Sequence, residues 1–154
     1  MDLELDIETR IAAPPAAVWA AMTDTDAWTD WMMGLVRIEM LTDGPMAVGS
    51  RWREVRKLFG KEAAEVFEVT SFEPGQRFDL YVDGSQGATG SGEYRFQQVL
   101  HPDGDGTRLH VHGVITVEGG FLKRMMGKLM VGPMKASMTK DFESLKAHVE
   151  AKQG

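Results

Sequence analysis

The chain has 154 residues, of which 43% are hydrophobic and 26% charged, with a net charge of −6 and no cysteine. This composition is that of an ordinary globular protein, so disordered, fibrous and disulfide-stapled classes are excluded. An acidic chain lacks the basic excess of a nucleic-acid binder. Without cysteine it has neither a thiol nucleophile nor a thiolate metal site.

The start of the chain alternates acidic and apolar residues, unlike the basic and then apolar start of a secretory signal peptide. No apolar run approaches the roughly 18 residues that a membrane-spanning helix requires. We therefore expect a cytoplasmic protein without integral membrane association. The length predicts one domain over residues 1–154.

The first predicted elements are a strand and two short helices. Apolar and charged side chains alternate over residues 2–11, which predicts a half-buried strand. Two prolines end it, and the alanine-rich segment 16–22 predicts a helix with proline in its first turn. Residues 23–26 supply caps for a second short helix that contains Trp28 and Trp31.

The middle of the chain consists of short β-type runs separated by turn residues. The runs span residues 35–41, 50–59, 62–72, 77–82, 89–100 and 108–117. Short connections of the hairpin type predict an antiparallel sheet rather than βαβ units. The glycine-rich connection 83–92 lacks the lysine and the following helix of a phosphate loop, so we expect a flexible loop there.

A long amphipathic helix is predicted over residues 122–149, because apolar residues recur at three- and four-residue spacing. Gly132 and Pro133 fall inside it and predict a kink or a break. Its basic residues are typical of a solvated face in an acidic protein, with contact to an anionic membrane as the alternative. A sheet that must cover its apolar face would pack against this helix in an α+β arrangement.

This order of elements resembles the helix-grip fold of the START-like (SRPBCC) superfamily, and most of all its bacterial polyketide cyclase/dehydrase branch. The similar stretches are residues 13–19, 24–31, 48–52, 69–78, 106–109 and 141–146, so the resemblance covers nearly the whole chain. It implies an α+β fold in which a curved antiparallel sheet of about seven strands wraps around a long C-terminal helix, with two short helices after the first strand.

The resemblance also implies a cavity between the sheet and the helix that holds a hydrophobic or amphipathic small molecule. The glycine-rich loop would then lie at the mouth of this cavity. Active residues differ among branches of the superfamily, so the fold indicates the place of the site better than its chemistry.

Methionines are concentrated in the predicted C-terminal helix. Five of the 11 lie there, namely Met125, Met126, Met130, Met134 and Met138. Flexible and polarisable thioethers suit the wall of an adaptable apolar cavity, although a plain core stripe would give the same pattern. We predict that Met126, Met130, Met134 and Met138 bind the ligand.

Charged residues accompany a tryptophan on the predicted strand 50–59. Trp52, Glu54 and Arg56 share one face, and the gain from burying a tryptophan favours this face as the inner one. Glu65 and Phe67 would then face the cavity from the next strand. Buried charges must be paired or meet a ligand, so they would orient a polar ligand head or act as acid and base. A solvated or salt-bridged strand pair is the competing interpretation.

Two further groups of side chains are candidates for the site. Tyr94 or Tyr81 would donate a hydrogen bond to a ligand carbonyl, although sheet packing is the simpler role of both. His110 and His112 share the outer face of their strand without an evident third ligand, so surface histidines are expected and no metal is assigned. The other predicted ligand-binding residues are Trp31, Phe78, Leu80 and Phe96.

The leading hypothesis is a binding protein for a lipid-, polyketide- or quinone-like molecule, without a cofactor. The alternative is a cyclase or dehydratase in which Glu54, Arg56 and Tyr94 act on a polyketide-like substrate. No Ser-His-Asp or His-Glu-x-x-His signature is present. A weaker alternative is a co-chaperone-like module that docks on a protein, and a homodimer is left open.

Overall fold

The computed structural model describes residues 1–58, 60–87 and 91–153. Within these ranges the chain forms seven strands and three α-helices. The strands are β1 (Asp2–Ile11), β2 (Leu35–Met40), β3 (Arg51–Leu58), β4 (Lys61–Glu73), β5 (Arg77–Asp83), β6 (Glu93–Asp103) and β7 (Gly106–Thr116). The helices are α1 (Pro15–Thr23), α2 (Trp28–Trp31) and α3 (Phe121–Ala151).

All seven strands belong to one curved antiparallel sheet in the order β1-β7-β6-β5-β4-β3-β2. Strands β2 to β7 pair with their neighbours in sequence, as their short connections predict. The first strand pairs with the last along its whole length, from Asp2 opposite Thr116 to Ile11 opposite Thr107. The predicted α+β helix-grip fold is thereby confirmed.

The alternating pattern of β1 places its apolar side chains inside. Leu5, Ile7 and Ile11 are buried, whereas the charged residues between them are exposed. Helix α1 begins at Pro15, where the fixed φ of proline suits the first turn. The β4–β5 turn contains Gly75 with a φ of 76°, a left-handed conformation that glycine adopts without steric cost.

The C-terminal half of α3 closes the core. Phe142, Leu145 and Val149 are buried, and this end of the helix is tied to the end of β1. The backbone N–H of Ala12 donates to Glu150 Oε2 at 2.8 Å, next to the contact of α3 with β1. The sheet, α1 and this half of α3 therefore enclose one hydrophobic core.

Some boundaries differ from those predicted. The sequence predicts a kink or a break at Gly132 and Pro133; helix α3 runs through both residues, so a break is wrong. Both residues are exposed, and water can therefore satisfy the carbonyl that loses its N–H partner to proline. The remaining strands begin or end within two residues of their predicted limits, apart from β6.

Two predicted segments extend beyond the described residues. Strand β6 begins at Glu93 rather than at residue 89, and residues 88–90 of the predicted loop lie outside the described ranges. The loop before them contains one 3₁₀ turn, Gly84–Gln86. Residue 59, the predicted end of β3, is also outside these ranges. Among the described residues, no helix is both long and apolar enough to cross a bilayer.

Candidate functional site

The sheet register aligns aromatic and charged side chains on the inner face of the sheet. Trp52 of β3 stands opposite Phe67 of β4, and the two rings stack in parallel with centroids 5.8 Å apart. The same row continues across β5 to Tyr94 of β6. Two residues further along β3, and on the same face, Glu54 stands opposite Glu65 of β4.

Glu54, Arg56 and Asp141 form what we call the inner polar cluster. Arg56 Nε donates to Glu54 Oε2 at 2.9 Å, and Arg56 Nη1 donates to Asp141 Oδ2 at 2.9 Å. Trp52 Nε1 lies 3.5 Å from Glu54 Oε1. Glu54 and Asp141 are buried, whereas the Arg56 side chain keeps 24% of its surface exposed. These contacts fix the Trp52 face of β3 as the inner one.

The cluster also joins the segment after α2 to the C-terminal helix. The backbone N–H of Met33 donates to Asp141 Oδ1 at 2.9 Å, and the Met33 carbonyl accepts from Arg56 Nη1 at 3.3 Å. Arg56 Nη2 meets the sulfur of Met32 at 3.7 Å. Three parts of the chain, β3, the end of α2 and the middle of α3, therefore converge on one guanidinium group.

Electrostatics favour a charged arginine at this position. Burial acts to lower the pKa of Arg56, but the carboxylates of Glu54 and Asp141 outweigh burial and raise the pKa above its ordinary value. For Asp141 the balance is different, because burial raises its pKa and the opposing attraction of Arg56 is the smaller effect. The cluster thus places a cation beside a carboxyl group whose pKa lies above its ordinary value.

Glu65 lies close to the connection that follows β5. A β-carbon on Gly87 would overlap the Glu65 carboxylate as it stands, so this side chain lies directly against the backbone of the connection. Glu65 itself is half-buried and stands opposite Glu54 across the β3–β4 pair. Two carboxylates of the predicted site are therefore neighbours on the inner face.

The other predicted residues of the sheet are buried to different degrees. Phe78, Leu80 and Phe96 belong to the closed hydrophobic core, and Phe67 and Tyr94 are half-buried beside it. Tyr81 lies elsewhere, because its hydroxyl donates to Glu93 at 2.9 Å and Arg95 covers its ring. The geometry therefore brings Tyr94, and not Tyr81, into the row of Trp52.

Trp31 of α2 is buried in the core, with an indole nitrogen that has no hydrogen-bond acceptor among the described residues. Buried donors are nearly always paired in folded proteins, so such a group is unusual. A ligand oxygen would supply the missing acceptor.

The methionines predicted to line the cavity differ in their burial. Met134 and Met138 are half-buried and pack against the core. Met126 and Met130 are 64% and 52% exposed, and Met125 is exposed as well. The methionines in the first part of α3 are thus exposed to solvent, whereas those further along the helix pack against the core.

The two histidines are engaged with acidic side chains of β1. His110 Nε2 and His112 Nδ1 both lie 2.9 Å from Asp6 Oδ1. These hydrogen bonds, with that of His112 the stronger influence, lower the pKa of Asp6. Within the described ranges, no group of three or more acidic or histidine side chains has the arrangement of a metal site.

The sequence prediction missed two contributors to the cluster. Asp141 lies on the buried side of α3 near Phe142 and Leu145, and an acidic residue at such a position is a signal that could have been used. Met33 contributes only backbone atoms, which its residue type does not reveal.

Two surface grooves lie away from the inner polar cluster. One, of about 550 Å³, is next to the start of α1 and is lined by Pro15, Glu73, Gly75, Gln76, Arg77, Val99, Leu100, His101 and Pro102. The other, of about 250 Å³, is lined by Arg51, Val66, Glu68, Tyr81, Asp83 and Gln86. Of the residues considered for the site, Tyr81 lines the second groove and the others line neither.

Solved structures from several organisms share this fold. The Zhui aromatase/cyclase from Streptomyces sp. R1128 is 11% identical with a TM-score of 0.83, over 100% of this chain and 97% of that one. TTHA0849 from Thermus thermophilus is 19% identical with a TM-score of 0.80, over 99% of this chain and 100% of that one. Major latex-like protein 151 from Panax ginseng is 10% identical with a TM-score of 0.75, over 96% of this chain and 97% of that one. At these identities the similarity concerns the fold.

The family comparison goes further than the fold. No curated protein matches the sequence significantly. The profile of the family described as "Polyketide cyclase / dehydrase and lipid transport" matches residues 3–150. This description supports ligand binding or a cyclase role in general, without a specific ligand. Because the match spans nearly the whole length, the chain belongs to the polyketide cyclase/dehydrase and lipid transport family, as its resemblance to the SRPBCC superfamily predicts.

Proposed function

We propose that the protein binds a hydrophobic or amphipathic small molecule between the inner face of the sheet and α3. The polar end of this ligand lies at the inner polar cluster, and its apolar part lies against Phe67, Tyr94, Met134 and Met138. The observation that supports this proposal most directly is the half-buried Arg56, which pairs with two buried carboxyl groups beside the aromatic row of the inner face.

Arg56 retains the capacity to bind an oxygen atom. Its Nε and Nη1 atoms are occupied by carboxylates, but Nη2 meets only the weakly accepting sulfur of Met32 in the described part of the chain. The two carboxylates hold the guanidinium in one orientation, so little further ordering is needed when a ligand binds. A carbonyl or carboxylate on the ligand is the acceptor that fits this donor.

The proposal is tested by exchanging Arg56 for lysine. Native mass spectrometry first identifies the molecule that co-purifies from the host, and calorimetry then measures its affinity. We expect Arg56→Lys to weaken binding about tenfold or more, because lysine keeps the charge but cannot donate to Glu54, Asp141 and the ligand together.

A matched control is available on the same strand. Arg53 is half-buried on the opposite face, where it pairs with Glu39 at 3.0 Å. Arg53→Lys should leave the affinity unchanged. Equal effects of the two substitutions, or a protein that purifies and remains empty with every apolar compound offered, would contradict the proposed binding site.

A cyclase or dehydratase is the second candidate, and the opposed pair of Glu54 and Glu65 favours it. Acid–base catalysis requires carboxyl groups or similar side chains within reach of the reacting atoms, and this pair supplies two of them. Glu65 and Tyr94 lie on the same face as Glu54, so Glu65 is a candidate for proton transfer and Tyr94 a candidate for polarising a carbonyl.

Substitution by glutamine separates the two functions once a substrate is known. For an enzyme, Glu65→Gln lowers kcat much more than it raises KM, because the amide retains the shape and loses the proton chemistry. For a binding protein, Glu65→Gln changes affinity alone and no product is formed by either version.

A further inference from the structure

The first half of α3 presents an apolar surface to solvent. Six large apolar side chains between its first residue and Pro133 are from 43% to 73% exposed. They are Phe121, Leu122, Met125, Met126, Leu129 and Met130, which we call the α3 apolar face. Six such side chains that are contiguous on one helix form an exposed apolar patch, and patches of this kind mark interaction sites.

This surface lies on the side of the helix that is turned away from the sheet. At 3.6 residues per turn, its members occupy about half of the circumference. Gly127 lies on the other half, and its position is so close to Leu3 and Val117 that a β-carbon would touch both. Val131 and Met134 pack against the core from this same half.

Basic residues border the α3 apolar face on both sides. At about 100° per residue, Lys123 lies at one edge of this face, and Arg124 and Lys128 lie at the opposite edge. Lys123 and Arg124 are exposed, as is most of the surrounding turn. Long basic side chains beside an apolar stripe can extend their charges to a lipid headgroup while the stripe enters the acyl region.

The charge of this segment is opposite to that of the whole chain. Residues 119–140 contain no acidic residue and five basic ones, namely Lys123, Arg124, Lys128, Lys135 and Lys140, whereas the protein has a net charge of −6. Charge is therefore separated along the chain: residues 119–140 are cationic and apolar, and the rest of the protein, which we call the body, is anionic. An anionic surface would repel the net charge of the body and attract this cationic segment.

We propose that the α3 apolar face docks the protein peripherally on an anionic lipid surface. The six apolar side chains enter the interface, and the flanking cations pair with lipid headgroups. Charge complementarity between the cationic segment and anionic headgroups favours a lipid surface as the occupant. In a two-fold symmetric dimer, the same cations would face one another across the contact, which disfavours a second copy of this chain. The proposal does not depend on the ligand of the inner site.

Vesicle co-sedimentation tests the docking surface on the full chain. Vesicles of phosphatidylcholine mixed with phosphatidylglycerol should sediment the protein, vesicles of phosphatidylcholine alone should do so weakly, and added salt should release it. Removing two charges by Lys123→Gln with Lys128→Gln should lower the partition coefficient by about fivefold per charge. Phe121→Ser with Leu129→Ser should lower it further, since the apolar contact is then lost.

Matched controls use exposed residues of the same types elsewhere. Lys152→Gln, at the far end of α3, and Val48→Ser, 64% exposed outside the helix, should leave sedimentation unchanged. In a second measurement, the tryptophan introduced by Leu129→Trp should fluoresce at shorter wavelength when anionic vesicles are added.

Each other outcome overturns the proposal. Absence of sedimentation with anionic vesicles, or equal sedimentation with neutral ones, excludes an electrostatically assisted interface. Sedimentation that Phe121→Ser with Leu129→Ser does not weaken indicates lipid uptake at another place. A lipid-free dimer that the same double substitution dissociates shows that a second copy covers this face.

Discussion

Asp141 is the residue on which the α3 side of the inner polar cluster depends. It accepts from the Met33 N–H and from Arg56 at 2.9 Å each, while 8% of its side chain is exposed. Asp141→Ala leaves both donors without this acceptor, so we expect a loss of about 3 kcal/mol in the free energy of unfolding. Denaturant titration measures this loss. Glu143→Ala, at an exposed position of the same helix, should change it very little.

The same carboxyl group makes stability depend on pH in an unusual direction. Burial raises its pKa above 3.8, so the folded state binds the proton more tightly than the unfolded state does. Wild-type stability relative to Asp141→Asn should therefore be greatest at low pH and fall as pH rises through the raised pKa. Unfolding free energies of both proteins across this range check the sign. A difference that grows with pH would mean that pairing with Arg56 outweighs burial.

The sequence shows which residues of a strand alternate, but it does not always show which face of the strand is buried. Strand β1 is unambiguous, because its apolar residues occupy one face only. On β3 charged residues occupy both faces, so the sequence indicates the inner side through Trp52 alone. The partner of Arg56 comes from a helix 85 residues away, and no local pattern reveals such a contact.

Helix α3 consists of two halves with different environments. Leu145 is 0% exposed, whereas Leu129 is 71% exposed on the same helix. Leu145→Ala should lower the free energy of unfolding by about 3 kcal/mol, because it leaves a cavity in the core. Leu129→Ala removes the same atoms from a solvated position, so the change should stay within about 0.5 kcal/mol. Comparable losses in chemical denaturation would show that the first half of α3 packs in solution.

The periodicity of α3 predicts a helix but not this division. Leucines and methionines recur at the same spacing in both halves, so the pattern indicates an apolar face without showing what covers it. Coverage depends on how far the sheet extends, which is a property of the assembled fold. Met134 and Met126 are assigned to the same cavity wall by the sequence, yet Met134 is half-buried and Met126 is exposed.

The molecule as a whole is closed by its first and last segments. Strand β1 pairs with β7, and the end of α3 is attached to the end of β1 by the Ala12–Glu150 hydrogen bond and by Lys146 Nζ donating to Arg10 O at 3.0 Å. This topology follows from the order of elements, which the sequence shows well because hairpins and apolar periods are local signals. The contacts themselves span nearly the whole chain, so they are expected to form late and to slow folding.

Removal of the final segment tests how cooperative this closure is. A chain that ends after residue 140 loses Phe142, Leu145 and Val149 from the core together with the Asp141 and Glu150 contacts. The sheet then has no cover for part of its inner face, so we expect a molten state in which strand content remains. Near-ultraviolet circular dichroism should lose the signal of the packed tryptophans Trp28 and Trp52, whose rings lie 5.0 Å apart. A chain that ends after residue 151 keeps all of these contacts and should retain both the signal and a sharp unfolding transition. If the shorter chain also kept a sharp transition, the sheet and the short helices would form a core of their own, and α3 would act only as a cover for the binding site.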